Sequence, residues 1–411
     1  MTFRNLRGLS LTACAGVLAL VATACGSSST ASTPSATIPA GLSISSFDVN
    51  FTAMSTLKDL HAAGSGLVGV ILPDTTSSTR YVNFDQPYLT KAFQMAGYSA
   101  SEFKIDNAQG NDATELALAQ ADLSQGAKVL VMDPLDSTVG TQIQAAAAAK
   151  GVKVISYDRA TFTGTDTYYV SFDNVQVGKL IGQGFKDCIT AWNVPNPQVF
   201  TLNGGQDTDP NAIDFAKGYN SAVWGDSVAQ ETVGKTANGL TLVGDQVAPG
   251  WDNSKGQTIF QQQFTAHPTI NATIEANDGL ANAVVTVLKQ KGIAANKIPT
   301  VGQDATLQGI ENVLSGYQCG SVYKAVYLEA QDAVALATIL RAGLTPPTAL
   351  VNSTTSPASG KPGSTQPASL LVPLWVDKSK VASTVIKDNF VDKGALCQAV
   401  TTAVCTANGI S

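Results

Sequence analysis

The sequence predicts an α/β protein of two Rossmann-like lobes, each built on a mainly parallel sheet. Three observations carry that reading. After Gly66, short β-branched runs alternate with helical segments. The strand runs are apolar throughout instead of alternating, as in sheets covered by helices on both faces. The alternation comes in two series of roughly 100 and 150 residues, each near the usual size of one domain.

The first series opens with a strand over 67–72 (LVGVIL), a helix over 86–96 and a strand over 102–105. Asp112 and Glu115 stand at capping-box spacing and open a helix to about Leu123. A strand over 128–132 (KVLVM) precedes an Ala-rich helix over 138–150, closed by Gly151, and then a strand over 152–156. In the second series, strands are read over 198–202, 241–245, 272–275 and 299–302. Helices are read over 177–192, 211–223, 255–266, 279–291 and 307–314. Residues 352–367, rich in Ser, Pro and Gly, read as a surface loop.

The N-terminus differs from this body. Arg4 and Arg7 precede an apolar stretch from Leu9 to Val21, too short to span a bilayer comfortably, which reads as a signal-peptide core. It ends Ala22-Thr23-Ala24-Cys25, which resembles a bacterial lipobox with Ala22 where Leu is usual. The chemistry implied is a diacylglycerol on the Cys25 thiol and cleavage before it. Residues 26–48, rich in Ser, Thr, Ala and Pro, read as a flexible tether that holds the body off the membrane.

Composition narrows the function. Only 14% of the 411 residues are charged and 44% are hydrophobic, which excludes a disordered or acidic scaffold. A net charge of −6 provides no basic field for nucleic acid. With two histidines and no CxxC pair, neither a metal site nor a cofactor is expected. No GxxxxGK[ST], GxSxG or HExxH occurs, so ATP hydrolysis and the common hydrolytic routes have no motif here. In an exported chain, Cys188, Cys319, Cys397 and Cys405 suggest two disulfides, with three connectivities open. The closeness of Cys397 and Cys405 favours that pair, which leaves Cys188 for Cys319.

The strand ends are the informative positions, because ligands of open α/β sheets bind beyond the carboxyl ends of the strands. Just past them stand Asp74, Asp133, Asp158-Arg159, Asn203, Asn277-Asp278 and Asp304. Asp and Asn are common turn residues one at a time. Six such ends together, with an arginine among them, point to a polar cleft. Carboxylates, amides and a guanidinium suit neutral polyols, whose hydroxyls both donate and accept. Tyr81 and Trp251, in loops that follow strands, add flat rings for the C–H face of a sugar.

The segments Ile155-Ser156-Tyr157-Asp158-Arg159, Tyr169 to Asn174, Val243 to Gln246 with Gly250-Trp251, Ala276-Asn277-Asp278, Val301 to Asp304 and Val322-Tyr323-Lys324 occur in a telling order. Over about residues 66–390 the chain resembles the bacterial periplasmic sugar-binding proteins of type I architecture, and among them the D-xylose-binding group of ABC importers. The resemblance implies a Venus-flytrap of two lobes joined by a three-strand hinge. The crossovers then fall near Asn174, Lys324 and Val372. The implied domains are a signal peptide over 1–24, the lipidated Cys25 with its tether over 25–48, a first lobe of 66–174 with 325–372, and a second of 175–324 with 373–411. The implied ligand set is Arg80, Tyr81, Asp158 and Arg159 from the first lobe, Asn211, Trp251, Asn277 and Asp304 from the second, and Lys324 at the crossover. Tyr81 stands where the group has a stacking Trp.

The function expected is capture of a monosaccharide, a xylose-like pentose or related sugar, by lobe closure. Delivery to a membrane permease with a separate ATPase subunit would follow. The protein is expected to be a monomer outside the cytoplasm, held to the membrane by its lipid, and not an enzyme. A sugar-sensing receptor component and an exported glycoside-acting enzyme are the alternatives. A sugar-responsive repressor is a further alternative, and the signal peptide and the lack of a basic DNA-binding headpiece argue strongly against it.

Overall fold

The computed structural model describes residues 36–75, 80–161, 167–205, 209–355 and 365–410. Strand β1 (Leu67–Leu72) lies between β2 (Phe103–Asn107) and β3 (Ala127–Met132), and β4 (Lys153–Tyr157) and β5 (Thr167–Phe172) extend the sheet beyond β3, all parallel. Successive side chains leave a strand on opposite faces, so β1 feeds two cores. Val68, Val70 and Leu72 enter a large core, and Ile71 enters a second with Ala119, Leu123, Val139 and Ile143 from the helices Asp112–Ser124 and Ser137–Ala148. Burial on both faces is why LVGVIL carries no polar residue.

The second lobe repeats the plan. β6 (Gln198–Gly205), β7 (Thr236–Ala237), β8 (Leu240–Pro249) and β9 (Ala272–Glu275) lie in the order β7-β8-β6-β9, with only β7 antiparallel. β10 (Thr300–Gln303) and β11 (Gln318–Tyr323) run parallel and continue the layer. The Thr273 N–H donates to the Pro299 carbonyl at 3.0 Å, and the Val301 N–H donates to the buried Glu275 carboxyl at 2.9 Å.

The chain passes between the lobes three times. After β5 it enters helix Asn174–Ala191, which packs on helix Pro210–Trp224. After β11 it enters helix Val326–Arg341, which covers the first sheet. β12 (Ser353–Thr354) and β13 (Pro367–Leu371) join that sheet beside β5, and β14 (Leu374–Asp377) returns to pair antiparallel with β11. Disulfides join Cys188 to Cys319 and Cys397 to Cys405. The first ties helix Asn174–Ala191 to β11, and the second ties the terminal helices Lys393–Val400 and Thr402–Ala407. Among the described residues, no helix is long and apolar enough to cross a membrane.

Several expectations need correction. Residues 36–48, read as tether, pack on the body: Leu42 and Phe47 are buried, and the Ile44 N–H bonds the Ala349 carbonyl at 3.1 Å. The apolar series continues through Phe51, Met54 and Leu57, all fully buried, so the body starts well before Gly66. Residues 1–35, including Cys25, lie outside the described residues. Helix Asp112–Ser124 is capped by Asn111, whose Oδ1 accepts the Thr114 N–H at 2.9 Å. Glu115 turns inward instead of boxing the cap and accepts the Leu135 N–H at 3.0 Å. The 352–367 stretch contributes β12, because Asn352 clamps the Leu370 main chain through both its amide groups at 3.0 and 2.9 Å. Helix Val326–Arg341 has no counterpart in the sequence reading. It is buried around its whole circumference, so no periodic stripe marks it, and Ala325 offers no side-chain cap. The segment after β14, expected with the second lobe, puts Val381, Val385, Phe390 and Leu396 into a core that residues of both lobes share, Ile310 and Val313 of helix Leu307–Ser315 among them.

Candidate functional site

Twelve residues from both lobes and the crossover line one small cavity. All nine residues of the expected ligand set are among them: Arg80, Tyr81, Asp158, Arg159, Asn211, Trp251, Asn277, Asp304 and Lys324. The parallel sheets explain the convergence. Asp158 and Arg159 follow β4, Trp251 follows β8, Asn277 follows β9, Asp304 follows β10 and Lys324 follows β11, all at carboxyl ends. Tyr81 opens a π-helical turn, Tyr81–Asp85, that has Arg80 as its N-cap and leads into helix Gln86–Met95.

The wall is balanced in charge, with Arg80, Arg159 and Lys324 facing Asp158, Asp209 and Asp304. Arg80 is the most heavily held. Its Nε and Nη2 donate to Asp85 at 2.9 and 2.7 Å, its Nη1 to Asp158 Oδ1 at 2.8 Å, and its Nη2 to Glu329 Oε2 at 2.8 Å. Burial opposes its charge, but Asp158, Asp85 and Glu329 outweigh that and push its pKa above the ordinary value. Burial also pushes Asp158 upward, yet Arg80, Lys324 and Arg159 hold it below the usual carboxylate range. Glu329, behind Arg80, is lifted by burial to about 8 despite the guanidinium. Asp133, behind Arg159, is raised by burial, and the Arg159 Nε stands 3.8 Å away. Lys324 Nζ faces Asp304 Oδ1 at 3.0 Å.

Three rings complete the wall. The Tyr81 hydroxyl donates to Asp158 Oδ2 at 3.1 Å, and the Arg159 guanidinium stands 5.5 Å from the Tyr81 ring centroid. Trp251 Nε1 donates to Asp209 Oδ2 at 2.8 Å, and Phe215 meets the indole edge-on at 6.2 Å. The indole lies on glycine backbone: a Cβ at Gly204 would sit 2.0 Å from Trp251 Cε3. Asp158, Trp251 and Asp304 all have positive φ, at 57°, 59° and 93°. Left-handed backbone at non-glycine residues is costly and clusters where a side chain must be aimed.

Some strand-end residues are directed elsewhere. Asn203 donates to Asp245 at 2.5 Å and accepts from Tyr219, so it holds the second lobe together. Asp278 accepts from Ser321, Gln318 and Thr306 at the start of its helix. Asp74 lines the outer mouth of the cleft, not the central cavity. The sequence reading missed Asp209, Phe215 and Gln303. Each had a signal. Asp209 is the N-cap before Pro210, Phe215 lies one helical turn beyond Asn211 on the same face, and Gln303 adjoins Asp304. Gln303 Nε2 donates to the Ala276 carbonyl at 2.9 Å, and its Oε1 has no partner among the described residues. Asn277 spends its oxygen on the Leu280 N–H at 2.9 Å, which turns its amide nitrogen into a donor for the cavity.

The resulting wall offers donors, acceptors and flat apolar rings with no net charge. It can bond hydroxyl groups from both lobes at once. Comparison with known proteins agrees with this chemistry. The sequence profile described as "Periplasmic binding protein domain" matches residues 68–344. The chain is 31% identical over 289 residues to the D-xylose-binding periplasmic protein of Escherichia coli (strain K12), covering 70% of this chain and 80% of that protein. It is 31% identical over 335 residues to the multiple sugar-binding periplasmic protein SbpA of Azospirillum brasilense, covering 79% and 89%. In structure it resembles a carbohydrate transporter solute binding protein from Chloroflexus aurantiacus in complex with D-glucose, with TM-score 0.66 and 24% identity over 80% of this chain and 98% of that one. With the match spanning most of its length and the two-lobe parallel-sheet fold in place, the chain belongs to the periplasmic binding protein family.

Proposed function

We propose that the protein is an extracytoplasmic solute-binding lipoprotein that captures a monosaccharide between its lobes and passes it to the permease of an ABC importer. The carrying observation is the cavity itself: three cations balanced by three carboxylates, with three amides and three rings, drawn from both lobes. A charge-balanced polar wall suits a neutral polyol, and the named sugar binders among the relatives support that class. Xylose or a related sugar is the ligand we propose, with Trp251 and Tyr81 against its apolar faces.

Binding bridges two half-sites. The sugar favours the closed arrangement only by the contacts that it gains there. No step of bond cleavage is needed, and the protein acts as a binding subunit, not an enzyme. We further propose that it works as a monomer and that a lipid on Cys25 holds it at the outer face of the cell membrane.

Calorimetric titration with D-xylose, D-ribose, D-glucose and myo-inositol tests the reading. Saturable binding of at least one is expected, and binding of none overturns it. Product released from an aryl glycoside would favour an enzyme instead. For the anchor, Cys25→Ala should move the protein from the membrane to the soluble fraction. Unchanged membrane association would remove the lipid from the proposal.

A further inference from the structure

The segment after β14 is outside the set of residues that line the cavity. It is nevertheless built into both lobes. On the second-lobe side, helix Lys393–Val400 packs on helix Leu307–Ser315, and Lys378 Nζ donates to the Leu314 carbonyl at 3.1 Å. The Cys397–Cys405 disulfide joins the two short terminal helices, and Leu396, Val400, Cys405 and Ile410 are buried beneath them. The segment is therefore a fixed body.

Its leading edge reaches the crossover and the first lobe. Asp388 Oδ2 accepts the hydroxyls of Tyr323 and Tyr327, each at 3.1 Å, one at the end of β11 and the other in the first turn of helix Val326–Arg341. Those two residues flank the second passage between the lobes. Phe390, two residues on, meets Tyr323 at 4.8 Å edge-on. It also stacks on Phe84 of the first lobe, with ring centroids 4.0 Å apart and planes 13° from parallel. Phe84 belongs to the turn that starts next to Arg80 and carries Tyr81 and Asp85. Phe84 and Phe390 both line the groove between the lobes that ends at Asn277 and Asp304.

We infer that this C-terminal segment is a latch for the binding site, with Phe390 a positioning residue that acts through Phe84. The inference rests on the sugar-capture reading. The segment rides on the second lobe, and Phe84 rides on the first. Opening the cleft pulls the two rings apart, and closing it stacks them. A contact present only in the closed form lowers the cost of closure and so raises apparent affinity without touching the ligand. The same contact holds the Tyr81–Asp85 turn in the position from which Asp85 grips Arg80. The disulfide and the Asp388 bonds keep Phe390 where the stacking partner arrives.

A double-mutant cycle in sugar affinity tests this. Wild type, Phe84→Ala, Phe390→Ala and the double variant are titrated with whichever of D-xylose, D-ribose, D-glucose and myo-inositol the wild type binds. Stopped-flow tryptophan fluorescence supplies the rates. Each single change is expected to weaken binding roughly three- to tenfold, the range of an aromatic pair, and the double change no further. The loss should lie in the off-rate, with the on-rate unchanged. Phe390→Leu, which keeps bulk without a ring, covers the case in which the buried alanine variant does not fold, and should give a smaller loss. Wild-type binding with unchanged affinity in Phe84→Ala and Phe390→Leu, or with losses that multiply, overturns the latch alone. Failure of the wild type to bind any of the four overturns the sugar reading and the latch with it.

Discussion

Asn211 Nδ2 donates to the main-chain carbonyl of Asp158 at 2.8 Å, and the bond joins the second lobe to the first across the cavity. Tyr169 strengthens the junction, donating to the same carbonyl at 2.8 Å while Asn174 Nδ2 donates to its hydroxyl at 2.9 Å. The carbonyl is available because Asp158 has left-handed backbone, with φ at 57°. Asn211 is therefore both part of the proposed sugar wall and a clasp between the lobes.

Asn211→Ala should weaken sugar binding about tenfold, the effect of one buried hydrogen bond of about 1.5 kcal/mol. The melting temperature without sugar should change little, since the helix cap is Asp209. Calorimetry with and without sugar checks both halves. A large fall in sugar-free stability would show that Asn211 holds the fold and not the closed form.

Trp251 should report binding. Its indole is fixed by Asp209 and by the glycine backbone at Gly204, so a sugar at its cavity face changes its fluorescence. Gly204→Ala should abolish that change and weaken binding, because the added methyl occupies the place of the ring. A fluorescence response that persists in Trp251→Phe would assign the signal to Trp192, Trp224 or Trp375.

Asp304→Ala should cost about 3 kcal/mol in sugar affinity, about a hundredfold. The change removes an acceptor from the wall and leaves Lys324 buried without the carboxylate at 3.0 Å. Circular dichroism should show the fold intact at room temperature. Titration that returns wild-type affinity would take Asp304 out of the site.

Stability should decline as pH rises from about 5 to about 9. Burial lifts Glu275 to about 8, and it lifts Glu115 to about 8 against the opposing bond from the Leu135 N–H. A carboxyl with a raised folded pKa binds its proton more firmly when folded. Its contribution is complete below the unfolded value and is lost as pH climbs through the folded one. Glu275→Gln keeps an acceptor for the Val301 N–H and removes the titration, so its melting temperature should fall less over that range. Equal slopes for wild type and variant would clear Glu275 of the effect. At the acid end, backbone and side-chain bonds from Ser99 lower Glu102 to about 2, so its contribution is lost as pH drops from about 4.5 toward 2.

Local signals carried much of this protein. The apolar strand runs declared buried parallel sheets, and the Asp, Asn and Arg residues just past them declared a cleft, because a parallel sheet aligns every carboxyl end on one edge. Family resemblance added Arg80, Asn211 and Lys324, which no spacing rule selects. Single positions were less legible. Asp158 and Asn203 read alike as polar strand-end residues, yet one lines the cavity and the other pairs with Asp245.

The sequence by itself determined the α/β class, the order of most elements and the strand-end cluster, because these depend on local periodicity and composition. Only tertiary structure decided the rest. It placed Phe215 and Asp209 beside Trp251, buried helix Val326–Arg341 with Glu329 against Arg80, and drew residues 36–57 onto the body. It also set Phe390 on Phe84, residues some 300 positions apart in the chain. These are contacts between distant segments, and their energy comes from burial and charge pairing that no local pattern encodes.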